Sequence, residues 1–125
     1  MTLKPLQRIA ASAIIAAAAI LAMTSTAKSD TPAYWYCLGY DDAEEIVYVS
    51  GIFLATVDPD YHRMADSYRA YLAQSHAGGS PINRIHCIGP GPSREFSRDS
   101  RSGSMQSHQN MDYAVSLVPW LWRAP

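Results

Sequence analysis

Two cysteines, Cys37 and Cys87, make up the entire cysteine content of this chain, and no other feature constrains its fold as much. Both lie in short stretches rich in aromatic or β-branched residues, which are typical of β-strands. Because strand side chains alternate between the two faces of a sheet, Cys37 shares a face with Trp35 and Cys87 shares one with Ile85. Both cysteines therefore lie among large apolar side chains, and the pattern predicts a buried cross-strand disulfide between them.

The neighbouring His86 suggests two other roles for Cys87, as a metal ligand or as the nucleophile of a Cys–His couple. If residues 83–88 form a strand, however, His86 and Cys87 point to opposite faces and cannot act on the same atom. Free thiols and a metal site are thus the alternatives to a disulfide. The disulfide would close a loop of about 50 residues, which the chain-entropy estimate values at about 4 kcal/mol, a large share of the stability of a small domain.

The N-terminal segment has the three parts of a secretory signal peptide. Lys4 and Arg8 supply a basic start, residues 9–23 form an uncharged and mostly apolar run, and a small Ser-Thr-Ala triplet follows. The alternative is a retained membrane anchor, but the run has about 15 residues and a spanning helix needs roughly 20. The pattern predicts a bacterial signal peptide over residues 1–27 that is cleaved on export to the periplasm or the cell exterior.

Residues 28–125 then form the mature chain, which has the length of one small domain. Eight basic and eleven acidic residues remain once Lys4 and Arg8 are removed, so its net charge is −3. Nucleic-acid binding requires a basic surface to contact phosphates, so the acidic balance and the export signal both argue against such a partner. Membrane contact is expected only through the N-terminal segment, if that segment stays uncleaved.

The elements along the mature chain follow the order β-β-α-β-α-β. This order predicts an α+β fold, a mostly antiparallel sheet with both helices packed on one face. The predicted strands span residues 33–40, 45–55, 82–89 and 112–122, and the predicted helices span 59–76 and 93–109. The first helix has the clearest signals, because Asp58 is a suitable N-cap and Pro59 fits the first turn. Ser93 is the expected cap of the second helix.

The sequence carries no recognisable motif for catalysis, a cofactor or a metal ion. Its four histidines lack a zinc-ligand spacing. The glycine–proline run at 89–92 lacks the successive N–H groups of a phosphate loop, because its two prolines have none. Ser50 is not part of a nucleophile elbow, and the acidic residues at 41–45 are expected to form a solvated turn. We therefore assign no catalytic, cofactor-binding or metal-binding residue from the sequence.

Two surfaces are candidates for contact with a partner. If residues 93–109 are helical, one row of the helix is basic and consists of Arg94, Arg98 and Arg101. The first strand carries three tyrosines on the face opposite Cys37: Tyr34, Tyr36 and Tyr40. Aromatic residues are enriched in binding interfaces, although packing inside a half-buried sheet explains them equally well.

These features together predict a non-enzymatic binding or interaction module of the periplasm or cell exterior. Its partner would be a protein or another component of the cell envelope. Two alternatives stay open: a small envelope hydrolase with an unrecognised site, and a structural accessory of an envelope complex. A convergent acid pair or Ser–His contact in a cleft would favour the hydrolase, whereas an exposed tyrosine or arginine patch would favour binding.

Export predicts that the protein isolated from its native host starts near Lys28. Intact-mass spectrometry should therefore show a chain that lacks the first 27 residues, because the small-residue triplet is the expected cleavage site. A full-length species beginning at Met1 in the membrane fraction would instead establish the anchor.

Overall fold

The structure, a computed structural model, describes residues 29–76 and 79–125 and builds from them a mixed sheet of five strands and two helices. In chain order the elements are β1 (Pro32–Asp41), β2 (Ile46–Val49), β3 (Phe53–Thr56), α1 (Tyr61–Ser75), β4 (Arg84–Gly91), α2 (Arg94–Asn110) and β5 (Ala114–Leu117). The α+β class, the small single domain and the disulfide are confirmed. The predicted signal peptide over 1–27 lies outside the described residues.

Strand β1 is the centre of the sheet. Leu38 pairs with Val49 of β2 and with His86 of β4, while Tyr34 pairs with Leu54 of β3 and with Gly91 of β4. Because a strand has only two sides, β4 occupies one side of β1, and β2 and β3 follow one another along the other. Strand β5 then pairs with β2 in parallel, and every other pairing is antiparallel. The mostly antiparallel sheet is as predicted.

The predicted second strand, 45–55, is interrupted by a β-bulge. Leu38 is opposite Val49 and Trp35 is opposite Phe53, so residues 50–52 face only two residues of β1. The fully buried Ser50 fills the gap: its N–H donates to the Cys37 carbonyl at 2.9 Å and its Oγ accepts the Cys37 N–H at 2.8 Å. A side-chain oxygen thus replaces a missing backbone acceptor, and β2 and β3 remain two halves of one strand.

One helix packs on each face of the sheet. Helix α1 buries Tyr68 in the cluster that contains Cys37, whereas α2 packs Met105 against the cluster that contains Tyr36. Tyr36 and Cys37 are adjacent in β1 and so point to opposite faces. The sequence predicts both helices on one face, and the structure separates them because β1 carries large apolar side chains on both faces. Each face needs its own cover to exclude water.

The helix starts follow from their caps. The Asp60 side chain accepts the Arg63 N–H, so α1 begins two residues later than the predicted Pro59. Ser93 caps α2 as predicted, by accepting the Phe96 N–H. Glu95 in the first turn of α2 adds a favourable interaction with the helix dipole.

The last predicted strand, 112–122, is shorter in the structure. Asp112 has a left-handed backbone, with φ of 65°, and the strand itself is β5. After the Val118 N–H bonds to the Val49 carbonyl, regular pairing stops at Pro119, which has no N–H to donate, and the Trp120 carbonyl accepts the Gly51 N–H at 3.1 Å. Val118 and Trp122 then enter the core on the α1 side. The end of this segment therefore closes the core instead of extending the sheet.

The disulfide joins residues that are directly opposite each other in β1 and β4. Cys37 and Cys87 are register partners, both are buried, and their sulfurs are bonded. His86 is exposed and points to the other face, as the alternation of strand side chains predicts. The Cys87 N–H points away from β1 and donates to the Tyr61 hydroxyl at 3.0 Å. The disulfide therefore joins β1 to β4, and the hydrogen bond from Cys87 joins β4 to α1.

Replacing both cysteines with alanine should lower the stability by roughly 4 kcal/mol, because the closed loop is lost from the unfolded chain. For a domain of this size the melting temperature should fall by at least about 15 °C. The parent protein treated with reductant is the matched control and should melt near the variant. Efficient alkylation of Cys37 and Cys87 in the exported protein without reductant would contradict the prediction.

Alkaline pH should unfold the protein, because burial raises the pKa of Tyr40, Tyr48 and Tyr68 above their ordinary value of 10.0. The folded state keeps these phenols protonated, so their contribution is fully present below pH 10 and is lost as pH rises through the folded-state pKa values. Urea titrations at pH 7, 9 and 10.5 should show a midpoint that falls only at the highest pH. Tyrosinate absorbance from Tyr68 should appear only with unfolding, and an unchanged midpoint up to pH 11 would contradict the prediction.

Candidate functional site

Two of the three tyrosines proposed as a partner surface lie beneath α2. Tyr36 and Tyr40 are buried, and their hydroxyls hold the helix on the sheet. The Tyr36 hydroxyl is 2.8 Å from Ser100 Oγ and 2.9 Å from Ser104 Oγ. The Tyr40 hydroxyl is 2.8 Å from Nε2 of His108. Both rings therefore serve packing in this structure, and of the three only Tyr34 is left at the surface.

The polar groups beneath α2 are hydrogen-bonded to one another. Nδ1 of His108 is 2.6 Å from the Ser104 carbonyl, so Nδ1 carries the proton and donates it. In the neutral ring Nε2 then accepts from the Tyr40 hydroxyl. The Tyr40 hydroxyl is thus bonded to the imidazole, and because Tyr40 is buried beneath the helix, this bond holds α2 on the sheet.

The acidic turn at 41–45 is held by specific bonds. Tyr113 donates to Asp42 Oδ1 at 2.7 Å, and Arg84 Nη2 lies 3.3 Å from the same oxygen. The bond from Tyr113, and then Arg84, lower the pKa of Asp42. The Arg84 guanidinium also lies 4.1 Å above the centre of the Tyr40 ring. Across residues 29–76 and 79–125, no group of three His, Cys, Asp or Glu side chains is arranged to hold a metal ion.

Ser50 is the serine that the sequence analysis considered as a hydrolase nucleophile. In the structure it is fully buried beside Cys37. Its oxygen accepts the Cys37 N–H and its own hydrogen is donated to the Gly51 carbonyl at 2.9 Å. A serine nucleophile needs a general base that accepts its hydroxyl hydrogen. Here the acceptor of that hydrogen is the Gly51 carbonyl, which is not a base. Ser50 is therefore a structural residue of the bulge.

The arginine row runs from Tyr34 of β1, beneath Arg94, to the bulge residue Ser50, which Arg101 contacts. Arg94 and Arg98 are exposed, and the Arg94 guanidinium lies 5.3 Å from the centre of the Tyr34 ring. Arg101 is half-buried, and its Nη1 donates to the Ser50 carbonyl at 3.1 Å. In the described part of the chain the one ion pair within 4 Å is Arg84–Asp42, so the guanidinium groups of the row have no carboxylate in direct contact, although Glu95 and Asp99 lie in the same helix.

Two exposed leucines lie on the same face of the sheet as the arginine row. Leu54 is opposite Tyr34 and is 54% exposed, and Leu117 is opposite Val49 and is 62% exposed. Strand partners in register share a face, so both leucines are on the α2 side. We call this surface the arginine shelf, and its residues are Arg94, Arg98, Arg101, Tyr34, Leu54 and Leu117.

The bulge explains why the sequence does not reveal this surface. In a regular strand, odd-numbered and even-numbered residues point to opposite faces. Without the bulge, Leu54 would therefore point to the face that does not carry Val47 and Val49. The extra residue at 50–52 reverses the alternation and turns Leu54 to the α2 face. Among the sequence signals, Gly51 after a serine in an otherwise β-branched strand is the one that marks a bulge.

A groove of about 360 Å³ lies between the C-terminal half of α1 and residues 79–82. Its lining includes Tyr48, Arg69 and His76, and the rings of Tyr48 and His76 stack at 4.4 Å. The Arg69 guanidinium donates to the Ile82 carbonyl at 2.7 Å, so this cationic group of the groove lining is already hydrogen-bonded within the protein. The sequence analysis gave no reason to expect this groove.

Among the residues that the structure describes, no helix has both the length and the apolarity to span a membrane. The buried disulfide fits a protein that folds in an oxidising compartment. No family model matches this chain, and no curated protein and no solved structure is significantly similar to it.

Proposed function

We propose that this protein is a non-enzymatic binding module of the periplasm or cell exterior that holds an acidic segment of a partner protein on the arginine shelf. The observation that carries the proposal is the stacking of Arg94 on Tyr34 beside the exposed Leu54. Guanidinium, aromatic ring and apolar side chain thus meet on one open surface. Arginine and tyrosine are the residues most enriched where interfaces gain their binding energy.

The charge of the row selects an anionic partner. Within the described ranges no carboxylate lies within 4 Å of Arg94 or Arg98, so a carboxylate of another molecule can pair with them without breaking an internal ion pair. Arginine is well suited to this role because its planar group binds a carboxylate through two parallel hydrogen bonds. Exposed leucines beside the row give such a partner apolar contact as well.

The overall charge favours a narrow segment of protein over a membrane surface. The mature chain carries eleven acidic residues against eight basic ones, so a broad anionic surface would be repelled by much of the domain. A single segment touches the arginine shelf alone. Binding to acidic lipids normally depends on clusters of four to eight basic residues, which is more than this row supplies.

The arrangement of the remaining polar groups supports binding over catalysis. Ser50 and the Tyr40–His108 pair are committed to internal hydrogen bonds. The disulfide and the two-sided core fix the sheet beneath the arginine shelf, so little order has to be gained when a partner binds.

Replacing Arg94 and Arg98 with glutamine should weaken binding of an acidic peptide while leaving the fold intact. The probe is a capped Glu-Val-Glu-Val-Glu-Val peptide, measured by titration calorimetry at low salt. We expect at least a tenfold loss of affinity, on the order expected for two lost charge-assisted contacts. The melting temperature should stay within a few degrees of the parent, since both side chains are exposed. Arg101 is left unchanged because it bonds to Ser50.

The matched control replaces Arg63 and Arg123, two exposed arginines outside the arginine shelf, with glutamine. This variant has the same net charge as the first, so it should bind the peptide nearly as the parent does. Equal losses in both variants would show a general charge effect. Parent-like binding by the Arg94 and Arg98 variant would remove the arginine shelf from the function.

A further inference from the structure

The groove beside the C-terminal half of α1 combines an apolar lining with a few polar side chains. Its volume is about 360 Å³, which lies within the usual range for a small-molecule site. Leu72 and Ile82 belong to the apolar lining, and Tyr48, His76 and Ser80 belong to the polar lining. This composition is typical of a site that binds a small organic ligand and fixes its orientation through a few hydrogen bonds.

Tyr48 contributes a hydroxyl group that the fold itself does not use. Only 8% of the residue is exposed, yet its hydroxyl has no hydrogen-bond partner among residues 29–76 and 79–125. In that part of the chain no side-chain oxygen without a partner is sealed from solvent, so this hydroxyl opens into the groove that Tyr48 lines. The Tyr48 ring is held in place by stacking on His76 at 4.4 Å. Because a largely buried hydroxyl normally has a partner, this group is the natural contact for a ligand.

Two carboxylates make the surroundings of this hydroxyl negative. Glu44 Oε1 lies 3.4 Å from Ser80 Oγ, so the Glu44 side chain reaches the wall of the groove. Asp41 belongs to the same turn, and its carboxylate accepts the Glu44 N–H at 3.1 Å. Burial raises the pKa of Tyr48, and the charges of Asp41 and Glu44 raise it further. The potential at the Tyr48 hydroxyl therefore favours a cationic ligand.

The surroundings of the hydroxyl favour an organic cation over a metal ion. Within the described residues, no group of three His, Cys, Asp or Glu side chains is arranged to hold a metal. An ammonium group needs fewer ligands, because it donates a charge-assisted hydrogen bond to a single oxygen and is attracted to nearby aromatic rings. Arg69 also lines the groove, but its guanidinium is turned to the Ile82 carbonyl. Its charge is not among those that act on Tyr48.

We propose that this groove is a second binding site of the protein, for a small organic amine with an apolar ring. The ammonium group donates to the Tyr48 hydroxyl and interacts with the Glu44 carboxylate, and the ring packs on Leu72 and Ile82. A ring covers this lining more fully than the unbranched side chain of a lysine from a partner protein would. Because Tyr48 belongs to the core cluster on the α1 side, the site lies on the face of the sheet opposite the arginine shelf.

The first test compares three probes of similar shape by NMR titration of the parent protein. 2-Phenylethylamine carries the ammonium group, 2-phenylethanol replaces it with a neutral hydroxyl, and 3-phenylpropanoate carries the opposite charge. We expect the amine to bind at least about fivefold more tightly than the alcohol, and the acid to bind more weakly than either. The backbone resonances of Tyr48, His76 and Ser80 should shift during the titration. Equal affinities of the amine and the alcohol would overturn the proposal.

The second test removes single groups from the site. Tyr48→Phe keeps the ring and loses only the hydroxyl, so the affinity for 2-phenylethylamine should fall about tenfold while the melting temperature stays within a few degrees of the parent. Glu44→Gln should weaken the amine at least about threefold, because it removes a charge at the groove wall. Glu45→Gln is the matched control, since Glu45 is equally exposed and its charge acts on Tyr113 instead. This control should bind the amine as the parent does.

The remaining outcomes separate this site from its rivals. Parent-like binding of the amine by a folded Y48F, or equal losses in E44Q and E45Q, would overturn the proposal. Tighter binding of N-acetyl-lysine methylamide than of 2-phenylethylamine would replace the free amine with a lysine of a partner protein. Y48F should still bind the Glu-Val peptide as the parent does, because the two sites lie on opposite faces. Loss of both ligands would show that the hydroxyl acts through the fold. The probe comparison needs no variant, so it decides the proposal even if Y48F does not fold.

Discussion

The fold depends on a single strand that is apolar on both faces and paired on both sides. Nearly every residue of β1 is buried, with Trp35 and Cys37 turned to α1, and Tyr36 and Tyr40 turned to α2. A strand of this kind is stable only between two layers and two neighbouring strands. The disulfide to β4 is placed at its middle, where it restricts the unfolded chain by a loop of 50 residues.

The bulge opposite Cys37 influences which side chains lie on the α2 face of the sheet. Ser50 bonds to both backbone groups of Cys37, so the N–H and C=O of Cys37 stay paired despite the extra residue. The change of alternation that it introduces brings Leu54 beside Tyr34. The same bulge exposes the Ser50 carbonyl to Arg101, which fixes one end of the arginine row. The inserted residue thereby places Leu54 on the arginine shelf and supplies the carbonyl that holds Arg101.

The sequence predicted features that depend on residue type and on alternation along one strand. It missed features that depend on how the strands pair and which face each helix covers. Ser93 as a cap and the disulfide between Cys37 and Cys87 follow from residue type and alternation alone, and both are confirmed. The side of the sheet taken by each helix depends on which face of β1 it covers, and β1 is apolar on both. The burial of Tyr36 and Tyr40 depends on that placement, so the sequence left open whether they pack or bind. Leu54 was missed because its face depends on a bulge.

The two layers are held by different forces, and this difference bears on where a partner binds. Helix α1 buries Met64, Tyr68 and Leu72, whereas the one buried residue of α2 is Ser97. Helix α2 is instead fastened largely by hydrogen bonds from sheet tyrosines, each contributing about 1 kcal/mol net. A helix fastened in this way needs few apolar residues of its own, so its flank is free to carry Arg94 and Arg98. Because Arg101 stays bonded to the bulge, a partner can engage the two exposed arginines without loosening the helix from the sheet.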